Sequence, residues 1–386
     1  MELDDLSRDP YAFYAAWREQ APLVRVPELG MWMATRYEDV RAIIMDTARF
    51  TTVSDHSVIQ RTFGTHMLTS EGAEQSRYRR ALQPIFMPPN IRQRLEAEIS
   101  NATRSLIAGF AAAGRVELRS AFASRLPIQT ILLCFGLDIA AEPRLRAWYD
   151  SFEAALANFT GNPVIEAQAQ ASVVELHDYL TAEMAAARAG TGSTVLADIL
   201  SGNAVRALSD EEMRRNLSII FFGGISTVEA LILNSLWALS QHPAIFDRVR
   251  ANAGLIPRVV DETIRWLGPV QSATRHVVAD TVYKGIALPE GSIVNCMLAA
   301  ANHDPSVFPD PTRFDIDRPN LSAHLGFATG PHLCLGFRLA QAEARIALTG
   351  LLEMLPSLSV DRNASTPPEG YEFHQPRQLT LFWPVA

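Results

Sequence analysis

Cysteine is scarce in this chain. Cys134, Cys296 and Cys334 are the only three in 386 residues, too few for a disulfide framework and in keeping with a reducing compartment. Basic tracts are missing as well. Lys and Arg total 34 against 42 Asp and Glu, a net charge of -8, which makes nucleic acid a poor partner. Long apolar runs are also lacking: the greasiest stretch, residues 217–225 (LSIIFFGGI), falls far short of the ~20 residues that span a bilayer. The amino terminus, MELDDLSRDP, is acidic where a secretion signal would be basic and then apolar. These absences predict a cytoplasmic protein with neither membrane nor nucleic acid as partner. What remains is an ordinary globular composition, 48% hydrophobic and 20% charged, which excludes global disorder.

Helical spacing dominates from about residue 10 to 242. Residues 95–110 and 173–187 show it, with breaks at Gly161-Asn162-Pro163 and at 189–193 (AGTGS). Strand signals are fewer. They predict minor sheet segments near 24–36 and 275–297, the latter with turns at Lys284-Gly285 and Pro289-Glu290-Gly291. No internal repeat or low-complexity stretch interrupts the pattern. The expected architecture is one mainly α domain over 1–386 with a smaller β part.

Residues 210–241 are the most informative segment. Ser209 and Glu212 form a capping-box start, and His242-Pro243 is a stop. The helix between them would be ~48 Å long. Apolar nearly all round from 217 to 239, it should be buried. Yet Gly223, Gly224, Ser226 and Thr227 sit in its middle. Each interior glycine costs up to ~1 kcal/mol relative to alanine, and buried hydroxyls need partners. Close helix packing with back-bonded hydroxyls explains this. So does a flat, bulky ligand lying against the glycines, and both readings stay open here.

The last third carries three further signals. Glu262 and Arg265 share one helix face at i, i+3. Their apolar neighbours make the pair buried, so the guanidinium needs more partners. Residues 304–319 (DPSVFPDPTRFDIDRP) hold four prolines, which prevents regular structure. Arg313 is the expected pin between this segment and the Glu262–Arg265 pair. Residues 326–336 are glycine-rich and place Cys334 just before a helix that starts near Phe337. Amides and dipole at a helix start favour a thiolate. No second Cys, and no His at zinc spacing, offers a tetrahedral site. A lone thiolate suits a metal held mainly by a macrocycle.

Together these pieces resemble the cytochrome P450 family. Residues 327–336, FATGPHLCLG, fit its haem-binding loop, with Phe327, Gly330, Cys334 and Gly336 at defining positions. Glu262-Thr263-Ile264-Arg265 fits its E-x-x-R motif, with Arg313 as the arginine that completes the triad. Residues 223–227, GGIST, fit the oxygen-activating centre of its long helix. Order and spacing match from Tyr37-Glu38-Asp39-Val40 to the carboxyl terminus.

The resemblance implies the P450 fold, with haem b between the long central helix and the Cys-ligand loop and helix. Cys334 would bind the iron, and His332, Arg275 and Arg79 would hold the propionates. Gln75 stands where the family often has histidine. Gly223 and Gly224 would make room, and Thr227 would hydrogen-bond the distal oxygen. Ser226 departs from the acid usual at its position: a hydroxyl relays a proton but does not titrate near pH 7. Glu229, two positions past Thr227, points to roughly the opposite side of the helix.

The implied function is a haem-thiolate monooxygenase that inserts one atom of O2 into a small apolar or natural-product-like molecule. The alternatives are a peroxide-driven haem enzyme, a haem-thiolate isomerase and a non-catalytic haem sensor. No cluster-binding cysteine spacing is present, so electrons would come from a separate ferredoxin and its reductase. Arg77, Arg80 and Arg338 are the expected docking cations on a monomer. The pocket would draw on residues 57–67, 157–164, Ile219, Phe222, Val270 and Phe373.

Overall fold

Local capping chemistry places the helices. The structure, a computed structural model, describes residues 3–55, 57–156, 158 and 161–385. Ser209 Oγ accepts from the Glu212 N–H at 3.2 Å, while the Glu212 carboxylate accepts from the Ser209 N–H at 2.8 Å. This capping box starts the helix Asp210–Gly223. Asn162 caps Val164 at 3.0 Å ahead of Pro163 and so starts the helix Pro163–Arg188. Ser193 caps the helix Thr194–Ser201 at Leu196.

The residues group into two compact units that interleave along the chain. The first holds Met1–Thr51, Ser100–Ser124 and Ser226–Ala386. Its five-stranded sheet runs in the order Val24–Val26, Met31–Ala34, Ile293–Met297, Ser272–Val277, Phe50–Thr51. Trp32 pairs with Val294 in parallel, and Ser272 with Met297 in antiparallel register. Ala34, Val294 and Cys296 of this sheet close a core with Val40, Ile43 and Ile44 of the helix Tyr37–Met45. A three-stranded sheet orders Arg115–Glu117, Thr380–Phe382 and Ser359–Val360. In the same unit the helix Ile256–Trp266 packs on Ser226–Gln241 and Phe337–Met354.

The second unit, Thr52–Ile99 and Arg125–Ile225, holds helices and loops and has no strand among the described residues. Pro163–Arg188 packs there on Glu142–Leu156 and on Asp210–Gly223. The chain is thus mainly α with a smaller β part, and the sheet segments near 24–36 and 275–297 are present.

One expectation is corrected. The helix over 210–241 is not continuous: Asp210–Gly223 ends and Ser226–Gln241 begins, with Gly224 and Ile225 outside both. The ladder's last bond there is Gly224 N–H to Ile220 O at 3.1 Å. A Cβ on Gly224 would come within 2.6 Å of Ile131 Cδ1, so the glycine is required by close packing. A Cβ on Gly223 would meet nothing within 4 Å. The two glycines therefore answer to different causes, one to packing and one to open space. As a whole the segment 210–241 is long and apolar enough to cross a membrane, but 78% of its most apolar window is buried inside the protein.

Candidate active site

Cys334 differs from the other two cysteines: it is exposed, while Cys134 and Cys296 are buried. Burial pushes the Cys296 thiol up to about 12, which keeps it protonated. Cys334 instead sits three residues before the helix Phe337–Met354. Its N–H donates to Phe327 O at 3.0 Å, and the Leu333 N–H donates to Gly330 O at 3.1 Å. Gly330 adopts φ +71°, the left-handed region that favours glycine, and a Cβ there would lie 2.5 Å from Met45 Sδ. Phe327 packs against Phe337 at 5.9 Å between ring centres. Past the cysteine, a Cβ on Gly336 would meet nothing within 4 Å.

The segment 304–319 is irregular, as its prolines require, and it is pinned from within the first unit. Arg265 grips Glu262 with both arms of its fork, Nε at 2.7 Å and Nη2 at 2.8 Å. Its other donors reach Asn302 O at 3.1 Å, Pro311 O at 2.8 Å and Arg313 O at 3.0 Å. All five guanidinium N–H groups are thereby used. Glu262 also accepts from Arg318 Nε at 3.1 Å and from the Asp315 N–H at 2.7 Å. The expectation for Arg313 is corrected here. Its side chain is 69% exposed and reaches Asp315 at 3.8 Å; only its carbonyl joins the network. Arg318, 6% exposed, completes the triad. Sequence spacing did not separate two arginines five residues apart.

The remaining expected residues divide between the units. In the first, Arg275 on the strand Ser272–Val277 is 3% exposed and donates from Nη1 to Thr274 O at 2.8 Å. His332 ends a short 3-10 turn, Gly330–His332. Val270 and Phe373 are brought together as an isolated antiparallel bridge. Ser226 and Thr227 open the helix Ser226–Gln241. Ser226 Oγ is buried and makes no hydrogen bond, so it does not back-bond to a carbonyl. Glu229 is fully buried and paired with Arg119 at 2.5 Å, which holds it away from any role at Thr227. Nothing in the sequence marked Arg119 as its partner, since the two are 110 residues apart.

In the second unit Gln75 and Arg79 lie on the helix Gly72–Leu82, with Gln75 4% exposed. Arg77 on the same helix is engaged by the Glu212 carboxylate and donates to Ala207 O at 3.1 Å. That pairing holds Glu212 down to about 2 and removes Arg77 as a free docking cation. Phe222 and Ile219 are 6% and 7% exposed on Asp210–Gly223. Phe222 packs against Phe63, Tyr149 and Phe152. Of the expected pocket segment 157–164, residues 157, 159 and 160 lie outside the described residues.

Within the first unit, an exposed thiol at a helix start, open space at Gly336 and the buried Ser226 hydroxyl, without a partner among the described residues, fit a flat prosthetic group ligated through sulfur. The comparisons decide which. A cytochrome P450 family model matches residues 187–369. The chain is 33% identical over 370 residues to the cytochrome P450 monooxygenase PikC of Streptomyces venezuelae, covering 92% of this chain and 86% of that one.

The chain belongs to the cytochrome P450 family.

A vitamin D(3) 25-hydroxylase of Pseudonocardia autotrophica is 30% identical over 364 residues, covering 92% and 88%. Among solved structures, the myxobacterial P450 CYP267B1, in complex with myristic acid, superposes with a TM-score of 0.89 at 28% identity, covering 99% of this chain and 98% of that one. P450BioI, in complex with an acyl carrier protein ligated to hexadec-9Z-enoic acid, gives 0.88 at 27%, covering 97% and 99%. This P450 is a haem-thiolate monooxygenase, and its cofactor is haem b.

Proposed function

We propose that this P450 inserts one oxygen atom from O2 into a small, apolar, natural-product-like molecule, drawing electrons from a separate ferredoxin and its reductase. The exposure of Cys334 at a helix start carries the reading, since Cys134 and Cys296 are buried and Cys334 is the cysteine whose sulfur could reach iron. When bound, haem b supplies an iron that activates O2, with the thiolate pushing electron density toward O–O cleavage. The chain's own residues do the rest. Phe327, Gly330 and Gly336 shape the ligand loop. His332, Arg275, Arg79 and Gln75 would hold the propionate carboxylates. Gly223 leaves space, and Gly224 lets the helix break against Ile131. The Thr227 hydroxyl holds a proton-bearing water, and the Ser226 hydroxyl passes protons that it cannot itself titrate. Glu262, Arg265 and Arg318 fix segment 304–319.

Phe222, Ile219, Val270 and Phe373 supply apolar walls for the substrate. The myristic acid bound to CYP267B1 is an apolar precedent for that choice. Arg80 and Arg338, both exposed, are the docking cations that remain after Arg77. The acidic balance and the scarcity of cysteine favour the cytoplasm. Cys334→Ala is expected to abolish product formation and the thiolate signature in the reduced carbon monoxide spectrum. Survival of both would end this reading. Ser226 and the captive Glu229 favour one second reading, in which hydrogen peroxide supplies oxygen, electrons and protons together. Turnover with peroxide but not with ferredoxin and reductase selects it.

A further inference from the structure

The loop 64–70 of the second unit is held by its own polar groups. The His66 N–H donates to Thr69 Oγ1 at 3.1 Å, and that hydroxyl donates to Gly64 O at 3.2 Å. His66 O accepts from the Thr69 N–H at 3.0 Å and from Ser70 Oγ at 2.8 Å. The Met67 N–H donates to Asn216 Oδ1 at 2.9 Å, which ties the loop to the helix Asp210–Gly223. The Leu68 N–H donates to His66 Nδ1 at 3.2 Å.

Every polar atom of His66 but one is therefore used. Nε2 is buried and has no partner. Because Nδ1 accepts from Leu68, the ring proton must sit on Nε2. Burial, and after it the charge of Arg215, holds the imidazole down to about 3, so the ring is neutral at pH 7. Arg215 itself is engaged by Glu211. The result is a fixed, uncharged N–H donor without an acceptor, which native interiors seldom leave.

Its surroundings are aromatic. Phe63 stands edge-on to His66 at 6.5 Å and packs on Phe152 at 4.9 Å and Phe222 at 5.5 Å. Phe222 immediately precedes Gly223, where open space begins.

We propose that His66 selects the substrate, donating its Nε2–H to an uncharged oxygen of a ketone, ester or ether on a molecule whose apolar skeleton lies against Phe63, Phe152 and Phe222. A single neutral donor with no free cation beside it does not offset the cost of burying a carboxylate's charge, and it repels a ligand that offers only N–H groups. A hydrocarbon would leave the donor unpaired, so discrimination comes from the penalty on the wrong ligand as much as from the bond to the right one. The proposal deepens the monooxygenase reading and rests on it, but its test is independent of turnover.

The test uses the holoprotein and the matched pair cyclododecanone and cyclododecane, titrated by the shift each causes in the haem spectrum. The wild type is expected to bind the ketone about 10-fold more tightly than the hydrocarbon. His66→Phe should erase that preference while keeping the hydrocarbon's affinity, and His66→Gln, which restores an N–H, should recover part of it. No preference in the wild type, including failure to bind either probe, overturns the proposal. So does a preference that survives in His66→Phe. Weakened haem retention in His66→Phe would assign the donor to a propionate and overturn it as well. Nitrogen-15 spectra of the histidine rings give a readout free of ligand. They should show His66 neutral with its proton on Nε2, and a proton on Nδ1 would refute the assignment. Failure of the haem-thiolate reading would appear instead in Cys334→Ala.

Discussion

Segment 304–319 and loop 64–70 are both irregular, and both are pinned by hydrogen bonds, yet they differ in what they leave over. In the first, Glu262, Arg265 and Arg318 consume one another's donors and acceptors together with the carbonyls of Pro309, Asp310, Pro311 and Arg313. In the second, one donor stays unspent at His66 Nε2. The helix break shows the same division: an added Cβ on Gly224 would meet Ile131, and one on Gly223 would meet nothing within 4 Å. Saturated polar groups hold the fold. A buried group left unsatisfied in a pinned loop carries a desolvation cost that a ligand's acceptor would offset.

This contrast can be broken in several places. The largest effect belongs to the saturated network. Arg318→Ala removes one partner of a buried carboxylate and should cost ~3–5 kcal/mol. Arg313→Ala removes an exposed side chain and should cost less than ~0.5 kcal/mol. Denaturant midpoints of the two variants read the difference, and equal losses would return Arg313 to the triad.

Next come the glycines. Gly224→Ala forces a methyl against Ile131 and should cost ~1–3 kcal/mol, partly relieved when combined with Ile131→Ala. Gly223→Ala should change stability by under ~1 kcal/mol. A large loss at Gly223 would mean that its space is filled by the fold itself.

The buried histidines predict the pH response. Burial first, and then Arg265, holds His303 down to about 3 and His324 down to about 4, both from 6.5. Below 6.5 the unfolded chain takes up protons that the folded chain refuses. Stability is therefore complete above 6.5 and is lost as pH falls toward 4 and 3, at up to ~1.4 kcal/mol per pH unit for each such ring. His303 stacks on Tyr11 at 4.3 Å, and its Nε2 lies 2.9 Å from Trp266 O. His303→Asn should flatten the slope by one ring's share in thermal melts taken between those pH values. An unchanged slope would remove His303 from the account.

The smallest structural change concerns Ser226. Ser226→Asp should raise the fraction of reducing equivalents that end in product, with substrate affinity little altered. Equal coupling in the two proteins would take Ser226 off the proton path.

Much of the fold was legible in the sequence. Ser209 with Glu212, Asn162 with Pro163, and the glycines around Cys334 act on backbone within a few residues of themselves, so their effects can be read from spacing. Of the site, the E-x-x-R pair and the Cys334 loop were equally plain. Arg313 misled because composition alone does not say which of two arginines in a proline-rich segment turns inward. The tight packing at Gly224 was hidden because Ile131, which an added Cβ would meet, lies 93 residues earlier (224 − 131). Arg119, which captures Glu229, was hidden for the same reason.

By itself, then, the sequence determined helix starts such as Ser209 with Glu212, the place of Cys334 just ahead of a helix, and the resemblance to a haem-binding family. Only tertiary structure decided that Arg318 and not Arg313 meets Glu262, that Glu229 is held by Arg119, and that His66 keeps a free donor. The physical reason is range. Caps and turns are closed by near neighbours, whereas the satisfaction of a buried charge or N–H depends on whichever distant groups the packed chain brings within about 3 Å of it.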